Sequence, residues 1–166
     1  GGMTGGASGS GAGSITGTLT NPTSAAQTAT YTVTPTSGTC AGTPFTVTVT
    51  VNPKPSVTNQ TATICSGNAF TITPTDGGGN VVPSGTTFTW TNPVSSPVGA
   101  VTGGSAQATG QSSISQTLTN TTNASATLTY TVTPTSGTCA GTPFTVTVTV
   151  NPTPSVTNQT STICSG

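Results

Sequence analysis

The stretch Phe144-Thr145-Val146-Thr147-Val148-Thr149-Val150-Asn151-Pro152 decides the fold. Apolar side chains alternate with threonines, the period-2 signature of a strand with one buried face. Thr and Val are β-branched and favour extended backbone, so propensity and pattern agree. Pro152 has no N–H to offer a neighbour and closes the run. Upstream, Tyr130 and Val132 alternate with Thr131 and Thr133. The intervening residues 134–143, bounded by prolines and rich in Gly, Thr and Ser, predict a long-looped hairpin. Further strands are expected over residues 55–59, 69–73, 86–91 and 113–119, with a weaker one at 98–101, and no segment has helical periodicity. About seven short strands punctuated by turn signals are the pattern of an all-β, immunoglobulin-like sandwich.

The same stretch occurs twice. Residues 30–67 and 129–166 are 38-residue segments identical at 36 positions, differing only where Lys54 becomes Thr153 and Ala62 becomes Ser161. The offset is 99 residues, too long for a solenoid rung and suited to tandem complete domains, each with its own core. The Pro-rich Asn52-Pro53-Lys54-Pro55 and its copy Asn151-Pro152-Thr153-Pro154 mark the boundaries. Residues 1–52 read as the latter part of one repeat, 53–151 as a complete repeat, and 152–166 as the first strand of a third. The Gly/Ser-rich residues 1–14 align with 100–113 without a gap and are expected to form a mid-domain loop. The expected core is Phe70, Ile72, Phe88, Trp90, Ile114, Leu118, Leu128, Tyr130, Val132, Phe144, Val146 and Val148. Trp90 takes the place of the aromatic that sandwich folds bury between their sheets, and Tyr130 that of a corner tyrosine.

Composition excludes most chemistry. Of 166 residues, 45 are threonine, and side-chain charge near neutral pH rests on Lys54 and Asp76 alone, with no histidine. General acid–base catalysis needs titratable groups in mutual reach, so no catalytic residue is expected. Ser and Cys nucleophiles lack a base to activate them, and the chain reads as a non-enzyme. Zero net charge offers no basic field for nucleic acid. The apolar runs fall far short of the ~20 residues that cross a bilayer, so the chain reads as a mature, soluble segment without membrane insertion. Asp76-Gly77-Gly78-Gly79 supplies one carboxylate, too few for calcium, and reads as a turn. No cofactor or metal is expected. The sequons at Asn59, Asn120, Asn123 and Asn158 are of the kind that arises by chance in a Thr-rich chain.

Cys40, Cys65, Cys139 and Cys164 form two classes offset by 99 residues, one in the late hairpin and one in an Ile-Cys-Ser-Gly corner. Their spacing does not suit zinc, and structural disulfides in an oxidising, extracytoplasmic setting fit better. In a seven-strand sandwich Cys65 and Cys139 fall at opposite poles, roughly 30 Å apart, against the ~6 Å between Cα atoms that a disulfide spans. The expected bond therefore staples consecutive domains, joining Cys65 to the hairpin Cys of the repeat after Cys164. A bond within the domain and free thiols rank behind it.

Ile64-Cys65-Ser66-Gly67, Thr87-Phe88-Thr89-Trp90, Tyr130-Thr131-Val132-Thr133 and Gly137-Thr138-Cys139, together with the Phe144 strand, resemble the Thr-rich PKD-like or Ig-like repeats of giant surface proteins in Bacteroidota. The resemblance is to the repeat region of gliding-motility adhesins exported by a type IX secretion system. It implies a secreted, cell-surface repeat whose partners are neighbouring repeats, laterally associated copies and a surface or glycan ligand. The function expected is a stiff, disulfide-stapled spacer and adhesive stalk. A ligand-binding module, for carbohydrate or for ice through the one-face array of Thr145, Thr147 and Thr149, is the alternative, as is the stalk of a secreted multidomain enzyme.

Overall fold

The computed structural model describes residues 2–166, which form fifteen strands. Residues 2–52 carry β1 (Gln27–Val33), β2 (Thr36–Ser37), β3 (Cys40–Ala41) and β4 (Phe45–Val51). Next come β5 (Gln60–Cys65), β6 (Ala69–Ile72), β7 (Thr87–Trp90), β8 (Val94–Ser96), β9 (Val101–Thr102) and β10 (Gln107–Gln111). The series ends with β11 (Ile114–Thr117), β12 (Thr119–Asn120), β13 (Ala126–Ser136), β14 (Cys139–Ala140) and β15 (Phe144–Asn151).

The larger sheet has the order β10-β7-β13-β15-β5, with β8 and β14 also pairing β13. The short pairs β11-β6 and β12-β9 make the opposing layer. Alternation dictates which side chains meet between the layers: along β15 Phe144, Val146, Val148 and Val150 are buried and the threonines between them are half-exposed. Phe70 of β6 reaches Tyr130 of β13 at 5.4 Å between ring centroids, Trp90 meets Tyr130 edge-on at 6.4 Å, and Phe88 meets Phe144 edge-on at 6.2 Å. Aromatic pairs in such geometries contribute about 0.5–1.5 kcal/mol each beyond area burial, a substantial share for so thin a core. Val57, Ala100, Val101, Ala126 and Val150 complete the buried set, and Ile72 packs at its margin.

Several expectations change. The first strand of the repeat is not residues 55–59 but β5, which runs parallel to β15 with Val146 opposite Gln60 and Val150 opposite Ile64. Pro55 and Val57 are buried on the way in, and only Ser56 bridges, to Val81. The hairpin is not long-looped. β13 continues through Pro134 to Ser136, and Ser136 pairs Cys139. The proline is tolerated because its carbonyl accepts from Gly141 N at 2.8 Å. Its missing N–H faces that same side, where the partner strand is interrupted between β14 and β15. Of the weak strand expected at 98–101 only Val101 belongs to a strand, β9; residues 97–100 turn between β8 and β9 with Val98 95% exposed.

The gapless register of residues 1–14 fails. Thr4 bridges Thr20 as Thr102 pairs Thr119, Gly5 abuts Thr18 and Leu19 as Gly103 abuts Thr117 and Leu118, and Gly6 abuts the Tyr31 hydroxyl as Gly104 abuts the Tyr130 hydroxyl. Met3-Thr4-Gly5-Gly6 therefore corresponds to Val101-Thr102-Gly103-Gly104, an offset of 98, and the loop that follows is one residue shorter.

Candidate functional site

Two surfaces carry the features that a function can use: the outer face of the larger sheet, and the poles where the chain arrives and leaves. On the outer face, register aligns threonines into rows. Thr61, Thr147 and Thr129 stand side by side across β5, β15 and β13, as do Thr63, Thr149 and Thr127, and Thr145 pairs Thr131. The rows form because inward positions on these strands are mostly apolar and the outward ones are, Cys65 and Asn151 apart, Thr, so in-register pairing tiles hydroxyls in two dimensions. Only Thr145, Thr147 and Thr149 were apparent as an array in the linear sequence. The face is uncharged, and its contacts are hydroxyl and methyl groups.

The leading pole holds the β13–β14 hairpin with Cys139 and the turn at Asp76. Asp76 Oδ1 accepts from Val82 N at 2.9 Å, and Oδ2 accepts from Ser24 Oγ of the preceding segment at 2.7 Å. Those backbone and hydroxyl donors hold its carboxyl below the usual carboxylate range. Asp76 is thus a turn residue that also touches the neighbouring unit, a contact that local pattern does not show.

The trailing pole is built around Asn120, 8% exposed. Its Nδ2 donates to Ala124 O and Val150 O, both at 2.7 Å, while Oδ1 accepts from Thr122 N at 2.9 Å and Thr122 Oγ1 at 2.8 Å. Asn21 makes the same four bonds to Ala25, Val51 and Thr23. Sequence reasoning treated Asn120 only as a sequon, yet it pins the end of β15. The signal was its copy: Asn-x-Thr-x-Ala recurs at an offset of 99 residues. Beside it the Ile64-Cys65-Ser66-Gly67 corner turns β5 into β6, with Ser66 N donating to Asn151 O and Gly67 N to Leu118 O, each at 2.8 Å.

The expected aromatic positions lie inside. Trp90 is 6% exposed and donates Nε1–H to Ser105 O at 2.9 Å, in the buried place expected of it. Tyr130 is fully buried, but its hydroxyl meets the Gln116 Oε1 at 2.9 Å rather than a backbone group near the start of its own strand, so it is not a corner tyrosine. Gln116 in turn donates to Ser105, closing a network of Trp90, Ser105, Gln116 and Tyr130.

Among the described residues Cys40, Cys65, Cys139 and Cys164 are thiols. Cys65 lies level with Asn151 at the trailing pole and Cys139 level with Ser136 at the leading pole. The rise of β13 between those levels separates them by roughly 35 Å, so the in-domain alternative does not fit this geometry.

The sequence matches the model of the PKD-like domain family over residues 2–55 and 62–154. The chain belongs to the PKD-like domain family. No curated protein and no solved structure matches it. PKD-like domains are commonly structural or adhesive extracellular modules, which accords with a complete repeat whose aromatic rings Phe70, Phe88, Trp90, Tyr130 and Phe144 are all buried in its core.

Proposed function

We propose that this PKD-like chain is a structural repeat of a long extracellular surface filament, a stiff spacer whose Thr-tiled faces adhere to surfaces. The observation that carries the proposal is the parallel pairing of β5 with β15. Because the first and last strands of the unit run the same way, the chain arrives at one pole and leaves at the other, and successive units stack end to end. The short Pro-containing connection and the Ser24–Asp76 contact stiffen the joint. An uncharged hydroxyl face supplies many weak contacts that salt does not screen. The chemistry of the faces offers no paired acid and base, so the unit acts by geometry and not by catalysis. A surface of this kind suits the cell exterior, and the resemblance to the repeats of gliding-motility adhesins supports reading the chain as part of a secreted, cell-surface fibre.

Small-angle scattering on tandem arrays of two, four and six copies of residues 53–151 tests this. The maximum dimension is expected to grow by a constant increment per copy, about 40 Å from strand rise plus loops. Growth with the square root of copy number would show a flexible string and overturn the proposal.

A further inference from the structure

Within the complete repeat, β5, β15 and β13 pair so that six outward threonines form a grid: Thr61, Thr147 and Thr129 in one row, Thr63, Thr149 and Thr127 in the next. Neighbours across the strands stand ~4.8 Å apart, and successive rows along a strand ~6.7 Å apart. Among the described residues Thr127 alone of the six bonds a protein group through its hydroxyl, to Ser96 O at 3.5 Å, and no polar side-chain atom is buried without a partner. The other five hydroxyls therefore open on water. Branching at Cβ leaves each side chain few χ1 wells, so hydroxyls and methyls are ordered before any ligand arrives. The pattern recurs in the preceding unit, where β1 and β4 pair in the same register with Thr30 opposite Thr48 and Thr28 opposite Thr50.

The chemistry of this face selects its ligand. Lys54 and Asp76, which carry the side-chain charge, lie outside the three strands, so the complementary surface is itself uncharged. Clefts lie elsewhere, among residues 7–16 and 31–45, and the rings of Trp90, Tyr130 and Phe144 are buried beneath the sheet. The face thus lacks the concave, aromatic-lined form that encloses a small molecule. What fits it is an extended, uncharged lattice that exchanges hydrogen bonds at fixed intervals. Hexagonal ice is such a lattice, and the repeats of its prism face lie close to the two spacings of the grid. Its oxygens both donate and accept, as a threonine hydroxyl does, and the methyl beside each hydroxyl restricts the orientations of the first water layer. A twist of ~20–25° per strand confines such a match to a few adjacent strands, which is the width of the grid.

We propose that the outer face of β5, β15 and β13 binds ice, its rows of threonine standing in for rows of lattice oxygens. This rests on the reading of the Thr-tiled face as the adhesive one and names the ligand of that face. A single patch holds weakly, because each hydroxyl gives up one hydrogen bond to liquid water for one to the crystal. Tandem units carry the patch repeatedly on one chain, and once the first is seated the next binds at high effective concentration. A run of repeats therefore fastens to a crystal more tightly than any one of them.

Slow freezing of the full chain beside a reference protein without ice affinity, followed by assay of what the ice retains, tests the proposal. The chain is expected in the ice fraction and the reference in the liquid. Thr147→Lys puts a charge on the central strand of the grid, and Thr63→Lys puts one on its exposed edge strand. Each is expected to lose most of the retention, with Trp90 fluorescence in urea reporting that the variant is folded. If Thr147→Lys fails to fold, Thr63→Lys decides the matter from the edge. Thr117→Lys adds the same charge to an exposed position of the opposing layer and is expected to be retained like wild type. Exclusion of the wild-type chain from ice overturns the proposal, as does equal retention of the grid variants and Thr117→Lys. A chain that ice excludes but crystalline cellulose or silica holds overturns it while leaving the adhesive reading in place. A chain that none of the three holds overturns both.

Discussion

Replacing Asn120 by alanine removes four hydrogen bonds at the trailing pole, and their surroundings set the cost. Val150 is fully buried, so its carbonyl, which Asn120 Nδ2 serves at 2.7 Å, is cut off from water when the amide is lost. An orphaned buried acceptor costs about 1–3 kcal/mol. Ala124 and Thr122 are exposed, so their groups rehydrate and lose only about 0.5–1 kcal/mol in total. Asn120→Ala is therefore expected to destabilise by about 1.5–4 kcal/mol. Asn120→Asp is nearly isosteric and keeps the acceptor for Thr122, but it turns a charged oxygen toward two carbonyls in a buried site, so it is expected to cost more than alanine. Trp90, the single tryptophan, reports the transition in urea from inside the same core. A loss below about 1 kcal/mol for Asn120→Ala, or an Asp variant as stable as wild type, would show that the pin does not carry the load assigned to it.

Gly104→Ala is expected to cost about 1–3 kcal/mol by overpacking. Its Cβ would lie 2.5 Å from Leu128 Cδ2 and 2.8 Å from Pro93 Cγ, and a thermal melt reads the loss. Stability should also depend on pH at both extremes. Burial pushes the Tyr130 hydroxyl well above its ordinary value. Its contribution is therefore intact below about pH 10, the unfolded value, and is lost as pH climbs beyond it, an arm that Tyr130→Phe flattens in urea titrations. Asp76 is shifted down, so its share is present above about pH 4 and disappears as pH falls through the lower folded value. Ser24→Ala should shrink that acid arm. The cysteines are tested in an oxidised two-copy array. With Cys139→Ser in the first copy and Cys65→Ser in the second, the remaining pair is expected to bond across the junction. The reverse arrangement should leave free thiols by mass spectrometry.

Alternation made the strands legible where a strand has one wet face, as in β13 and β15, and the aromatic core could be named residue by residue for the same reason. β5 was hidden because Gln60-Thr61-Ala62-Thr63-Ile64-Cys65 buries small and polar side chains beside a strong neighbour, and its place is set by that neighbour's open edge. The strand through Pro134 was hidden because the rule that proline ends a strand holds only where an acceptor faces its nitrogen. The rows of threonine depend on register across three strands, and register is a property of pairing that no single segment displays. Asn120 was overlooked because an Asn between threonines looks like turn chemistry, and only the buried Val150 carbonyl gives it weight. The one-residue slip at Gly5 and Gly6 escaped because the offset of 99 that holds from Ile15 onward was extended through a loop of small residues, although Thr4-Gly5-Gly6 repeats Thr102-Gly103-Gly104 at 98.

Because β5 begins at the leading pole and β15 ends at the trailing one, tension along the chain drags these adjacent strands in opposite directions along their shared ladder. Their hydrogen bonds are then loaded in shear, all together, instead of being unzipped one at a time. A unit held in this way yields abruptly, and it protects its buried rings until the whole seam lets go.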